Sequence, residues 1–327
     1  MSILFLRCSF LKREGYILEL GILIFKQIIS MFIMILVGFI LIRLKIIKNN
    51  AGLYLAKIVI YVVLPCTIVN AFQIERNPNV VNGMIFAFII ALICNIFLVV
   101  FSKLLSIILK LNTIEQATIA YPNSGEMLIP LVTSVLSPDM VIYSCAFMIV
   151  QILFMFTHGM SLLSENNNND KLSIIKNQNV IAIIIGICLF IFNIKIPSII
   201  SSTMNSFSGM IAPMSMLIIG CSMANCNLKD KINNKRIYGI ILLRQIIVPI
   251  IYLLVIKLLN LKTFMVGAEG ILLIIYMAMA SSPATTIVNI VQSYNKDVEY
   301  ASIINVIGVS LLIITLPVMI FIYLMFV

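Results

Sequence analysis

Residues 121–130, Tyr-Pro-Asn-Ser-Gly-Glu-Met-Leu-Ile-Pro, set two prolines, a glycine, an amide and a carboxylate inside an otherwise apolar segment. A later apolar segment is interrupted in the same way by Ser281-Ser282-Pro283-Ala284-Thr285-Thr286, with Asn289 one turn further on. Pro122 removes a backbone donor and disfavours helix at Tyr121, while Gly125 opens geometries closed to other residues. A half-helix restarting near Ser124–Glu126 would turn its positive dipole end and its free N–H groups toward an anion, most simply a carboxylate. Asn123 and Ser124 add side-chain donors, and Ser281, Ser282 and Thr285 flank the second proline. The plainer alternative is a pair of proline kinks whose hydroxyls and amides are interhelical glue. Two matching breaks favour a binding site, because hydrocarbon tolerates irregular backbone only where protein encloses it.

Charged groups in apolar surroundings are the next candidates. Arg244 lies between Ile241-Leu242-Leu243 and Gln245-Ile246-Ile247, where a membrane-buried arginine costs at least about 2.5–3.5 kcal/mol. Three readings stand: counter-charge to an anionic substrate, partner of Glu126, or a side chain snorkelling toward the interface near Arg236. Glu126 is the carboxylate nearest a membrane midplane, and desolvation there suits it to carry a coupling proton or cation. Glu269 and the one histidine, His158, read as interfacial. The 7 cysteines form no CxxC pair and, with a single histidine, give no zinc-ligand spacing, so neither a metal nor a cofactor is expected. With 12 acidic residues, mostly scattered, an enzyme active site is not expected either.

The elements that must position these residues follow from composition. The chain is 62% hydrophobic and 10% charged, against about 45–50% and 25% in soluble domains. It reads as an all-α integral membrane protein. Its net charge of +10 is dispersed over short loops, which fits the positive-inside rule and leaves no nucleic-acid patch. Ten apolar segments are predicted, at 22–45, 52–74, 83–109, 114–136, 140–163, 178–194, 199–225, 236–258, 265–292 and 300–325. Each group of five has a helix-breaking proline in its second member (Pro65, Pro213) and a polar break in its fourth (Pro122 with Pro130, Pro283). An odd number of spans makes the second copy enter from the opposite side, so residues 16–163 and 178–327 form an inverted repeat. Residues 164–177 are the polar connector, and residues 1–15 are an extension outside the repeat. Loops carrying Arg43, Lys45, Lys48, Lys110, Lys171, Lys176, Lys229, Lys231, Lys235 and Arg236 should face the cytoplasm, which puts both termini of this multi-pass cell-membrane protein outside.

These segments resemble the auxin efflux carrier family, which includes plant auxin exporters and bacterial malate permeases. The resemblance runs over nearly the whole chain from about residue 16. It is carried by Leu64-Pro65, by Asn123-Ser124-Gly125 with Pro130, and by Arg244 with Pro249. Its fullest part runs from Ser282-Pro283-Ala284 through Tyr294-Asn295-Lys296-Asp297 to Ala301-Ser302 and Leu316-Pro317. The resemblance implies ten helices in two inverted repeats, helices four and nine crossing at their breaks, and an organic anion held near that crossing by Asn123, Ser282 and Pro283. Two residues depart from the family pattern: Glu126 stands where an aromatic or amide is usual, and Leu128 replaces a common glycine. The expected activity is therefore secondary transport of small organic anions by alternating access. The alternative is a proton- or sodium-coupled symporter of bile-acid-symporter-like architecture with Glu126 as the ion site. The partners expected are the organic anion, the lipid bilayer and a coupling ion, with a homodimer among the open assemblies.

Overall fold

The computed structural model describes residues 26–27, 29–75, 77–136, 138–164, 178–225, 234–294 and 296–326. The 1–15 extension and all but Ser164 of the polar connector lie outside these residues, as do Lys229 and Lys231. The described chain is helical. Six helices are long and apolar enough to cross a membrane: α2 (Ala51–Ala71), α3 (Pro78–Leu109), α6 (Val141–Leu163), α8 (Ser198–Asn225), α9 (Lys235–Leu258) and α12 (Val298–Phe326). Three shorter apolar helices are α1 (Ile29–Arg43), α7 (Gln178–Ile191) and α10 (Ala268–Ala280). Three short pieces complete the set: α4 (Thr113–Ala120), α5 (Ile129–Val135) and α11 (Thr286–Ser293).

Local signals set the helix ends. The Asn77 side chain accepts from the Val80 N–H to start α3, with Pro78 in its first turn. Lys110, in the left-handed region at φ 49°, ends it. Asn112 and Glu115 form a reciprocal capping box that starts α4.

The prolines behave differently from expectation. Pro65, Pro130 and Pro249 do not break their helices. Each sits two residues after a π turn, at Val59–Val63, Ser124–Leu128 and Leu243–Ile247 respectively. The wider turn accommodates a ring that would otherwise collide with the carbonyl one turn back and a residue that has no N–H to donate. Pro213 likewise lies in the first turn of Ile211–Asn225, just past a turn at Gly209 and Met210. The breaks proper are confined to Tyr121–Asn123 and Ser281–Thr285.

Packing follows the position of these two breaks. Every residue of Ile114–Ser124 and of Ile271–Ala284 is buried. The broken segments form the interior, and α3, α6, α9 and α12 pack around α10. Outer helices keep apolar side chains on both faces: α3 buries Phe86, Ala87, Ile90, Ala91 and Leu98 while Ile85, Ile89 and Ile93 stay exposed, as expected where lipid replaces water. At one crossing the backbones themselves meet. A Cβ on Gly220 of α8 would collide with the Ile35 carbonyl of α1, and one on Gly38 of α1 with the Leu217 carbonyl of α8.

That contact gives a direct test. Gly220→Val should destabilise the protein by about 1–3 kcal/mol. Thermal unfolding followed by a thiol-reactive dye on buried Cys94, Cys145 and Cys221 would read this as a lowered Tm. Gly239→Ala, where nothing lies within 4 Å, should leave it unchanged or raised.

Candidate functional site

The two breaks meet. At Tyr121 the chain leaves α4 in extended conformation (φ −119°, ψ 105°) and runs antiparallel to Ser282–Ala284. The Asn123 N–H donates to the Ser282 carbonyl at 2.9 Å, and the Ala284 N–H donates to the Tyr121 carbonyl at 3.0 Å. Each break thus supplies the partners that the other lost on leaving its helix.

The proline carbonyl of each break is met by an amide from the next spanning helix. Gln151 of α6 donates its Nε2 to the Pro122 carbonyl, and Asn305 of α12 donates its Nδ2 to the Pro283 carbonyl at 3.0 Å. Gly308 of α12 allows this approach, since a Cβ there would lie 2.8 Å from the Pro283 ring. Neither amide stood out in the sequence, because a lone Gln or Asn in an apolar span is ordinary interhelical glue. Their matching place, each on the spanning helix after a broken one, is the signal that could have singled them out.

Arg244 is fully buried, which excludes the snorkelling expected as one of its readings. Its Nη1 donates to the Met279 carbonyl at 2.6 Å and its Nη2 to the Ala278 carbonyl at 3.3 Å. These are the last carbonyls of α10, the negative end of a helix dipole, where a cation is favoured. The Ser281 hydroxyl donates to the same Ala278 carbonyl at 2.9 Å. No described carboxylate pairs with Arg244, and its Nε has no hydrogen-bond partner. Its neighbour Gln245 donates to the Gly308 carbonyl at 2.6 Å and accepts from Thr315 at 2.9 Å, tying α9 to α12.

Of the expected site residues, Asn123, Ser124, Ser281, Ser282 and Pro283 converge here, all buried, with Gly125 and Thr285 half-buried beside them. The Ser282 hydroxyl is wholly buried and has no hydrogen-bond partner among the described residues. One N–H group expected to face a ligand is already used: that of Ser124, which donates to the Pro122 carbonyl at 3.2 Å. The first turn after the break is therefore offered from Gly125, Glu126 and Met127. The Glu126 side chain lies outside the described residues, so its expected pairing with Arg244 is not described.

His158, expected at the interface, is half-buried near the end of α6, and its ring reaches the break. Its Nδ1 lies 2.7 Å from the Tyr121 hydroxyl, which also sits 3.1 Å from the Phe154 carbonyl. Glu269 is exposed in the first turn of α10, as expected of an interfacial residue.

The two ends of the broken span differ. At the α4 end, Glu115 is buried and accepts from Arg236 Nε at 2.6 Å, from Arg236 Nη2 at 2.8 Å and from the Tyr300 hydroxyl at 2.7 Å. Arg236 also donates to the Lys110 carbonyl at 2.7 Å, so α3, α4, α9 and α12 are tied at one face. Beyond α5, a cavity of about 340 Å³ is lined by Thr67, Asn70, Gln73, Thr133, Asn205 and Ser208 among others.

Removing Asn305 should leave the Pro283 carbonyl without its amide, at about 1–3 kcal/mol, whereas the Pro122 carbonyl keeps the Ser124 N–H when Gln151 is removed. Asn305→Leu is therefore expected to lower the Tm more than Gln151→Leu. An Asn305→Leu protein as stable as the wild type would show that the Pro283 carbonyl does not depend on this bond.

Comparison with known proteins adds one match: the family described as membrane transport protein matches residues 23–320. Among curated proteins, none matches the chain.

Proposed function

Because the chain belongs to the membrane transport protein family, that of the auxin efflux carriers, it is a multi-pass membrane transporter, and we propose that it carries small organic anions by alternating access around the paired breaks. The observation that carries this reading is Arg244: a buried guanidinium, one turn from Ser282, anchored on neutral carbonyls and unneutralised by any described carboxylate. Its charge, together with the dipole end of the turn starting at Ser124, gives the crossing a positive potential that a carboxylate would answer. The Ser282 hydroxyl, the Asn123 amide and the Gly125–Met127 amides would hold its oxygens, with Ser124, Ser281, Pro283 and Thr285 shaping the pocket.

The halves 16–163 and 178–327 are proposed as an inverted repeat. The bonding at the breaks supports it: in each half the proline carbonyl is met by an amide from the next spanning helix, Gln151 in one and Asn305 in the other. With the basic loops facing the cytoplasm, the Glu115–Arg236–Tyr300 cluster closes the cytoplasmic side, and the cavity lined by Asn70 and Asn205 is the extracytoplasmic approach.

Purified protein in liposomes should exchange labelled malate. Asn123→Ala and Arg244→Ala are each expected to abolish exchange, and Arg244→Lys, which keeps the charge but loses the fork, to retain a small part of it. Malate exchange that survives both alanine changes would remove the crossing as the binding site.

A further inference from the structure

We propose that His158 is the proton-binding residue of this transporter and that Tyr121 transmits its protonation to the paired breaks. The inference rests on the reading of the crossing as the transport site. It begins with local geometry. His158 lies in a π turn, Met155–Gly159, that interrupts α6, and such turns often sit at functional positions. The next residue, Gly159, faces the Tyr121 ring, and a Cβ there would lie 3.1 Å from ring carbons. The wider turn and the missing side chain together let the tyrosine ring lie against α6 with its hydroxyl 2.7 Å from His158 Nδ1.

Tyr121 has two attachments. Its hydroxyl meets His158, and its backbone carbonyl accepts from Ala284 in the opposite break. A change at the ring is therefore one residue away from the bonds that join the two broken spans.

The hydrogen bonds define what a proton would do. With a neutral ring, two arrangements are open. Either the tyrosine donates to a bare Nδ1, or Nδ1–H donates to the tyrosine oxygen while the hydroxyl donates to the Phe154 carbonyl at 3.1 Å. A proton from the aqueous side adds to whichever ring nitrogen is bare. The imidazolium carries hydrogen on both nitrogens, so only the second arrangement survives and the Tyr121 hydroxyl is fixed on Phe154. A positive ring beside an apolar, fully buried segment also favours any conformation that returns it to water.

No described carboxylate competes for His158. Lys103 of α3 bears on the ring electrostatically, and its positive charge works against the imidazolium, adding to the drive that returns a protonated ring to water. On α4 the carboxylate of Glu115 is committed to Arg236 and Tyr300, and α11 carries no titratable side chain.

The chain has a single histidine, so ring nitrogen-15 signals from protein purified on a histidine-free tag report this residue alone. They should move between about pH 5 and 8, and Tyr121→Phe should displace the midpoint by about half a pH unit or more. In liposomes an inward proton gradient should accelerate wild-type malate uptake several-fold. For His158→Gln the ratio of uptake with and without the gradient should fall to one.

Ring signals that do not move, or that move identically in Tyr121→Phe, would overturn the histidine–tyrosine couple. Gradient acceleration that persists in His158→Gln and disappears in Glu126→Gln would assign the proton to the carboxylate and overturn the proposal. A wild type that exchanges no malate with or without a gradient would instead overturn the organic-anion reading, and the ring titration would then decide the couple by itself.

Discussion

Two backbone hydrogen bonds, Asn123 to Ser282 and Ala284 to Tyr121, are the constraint on which the architecture depends. An unpaired peptide group in a hydrocarbon-surrounded interior costs several kcal/mol, and each broken span frees such groups where water cannot reach. The two irregular segments solve this jointly, as a minimal antiparallel pair. Neither break is tenable alone, so their positions in the fold are coupled. This explains why the broken segments Ile114–Ser124 and Ile271–Ala284 lie in the interior with longer helices packed around them.

The remaining polar interior serves the same end. Gln151 and Asn305 meet the proline carbonyls, and Arg244 with Ser281 meets the last carbonyls of α10. A neutral side chain could have capped α10. An arginine there places a full positive charge beside the crossing at high desolvation cost, a cost easier to account for where an anion visits. The π turns belong to this logic as well. Those before Pro65, Pro130 and Pro249 keep helices continuous through prolines, and the one at Leu243–Ile247 contains both Arg244 and Gln245, which face α10 and α12 from adjacent positions.

Much of this was legible in the residue pattern, and what was not has physical causes. Apolar run length located the long helices to within a few residues, because a span must match the bilayer. The Pro-Asn-Ser-Gly and Ser-Ser-Pro interruptions marked the breaks, since each clusters small polar residues around a proline inside an apolar run. Proline by itself misled: Pro65 and Pro130 read as breaks because sequence shows the missing donor but not the π turn that accommodates it. Arg244 stayed ambiguous because its partners are carbonyls, which every residue carries. His158 read as interfacial from its place near the end of a span, whereas its role depends on Tyr121, 37 positions away in the chain.

The asymmetry between the two faces then bears on how the molecule moves. The paired breaks, the two amide caps and the Arg244 fork join α4, α6, α9, α10 and α12 at the crossing through buried hydrogen bonds. The Glu115–Arg236–Tyr300 cluster holds the α4 end by three charge-assisted bonds, while the opposite end borders a polar cavity where Asn70 meets Asn205 at 2.6 Å and Ser208 at 3.2 Å. Opening the sealed face requires Glu115 to part from Arg236, whose side chain is 47% exposed and has water to fall back on. Glu115, 1% exposed, would gain water only once the face has parted. The barrier to opening therefore lies with the carboxylate, and a ligand that stabilises the crossing in its alternative position needs to exceed only that desolvation term to shift the population. On the proposed alternating-access mechanism, opening is thus a contest between one buried glutamate at the edge and the occupancy of one buried arginine at the centre.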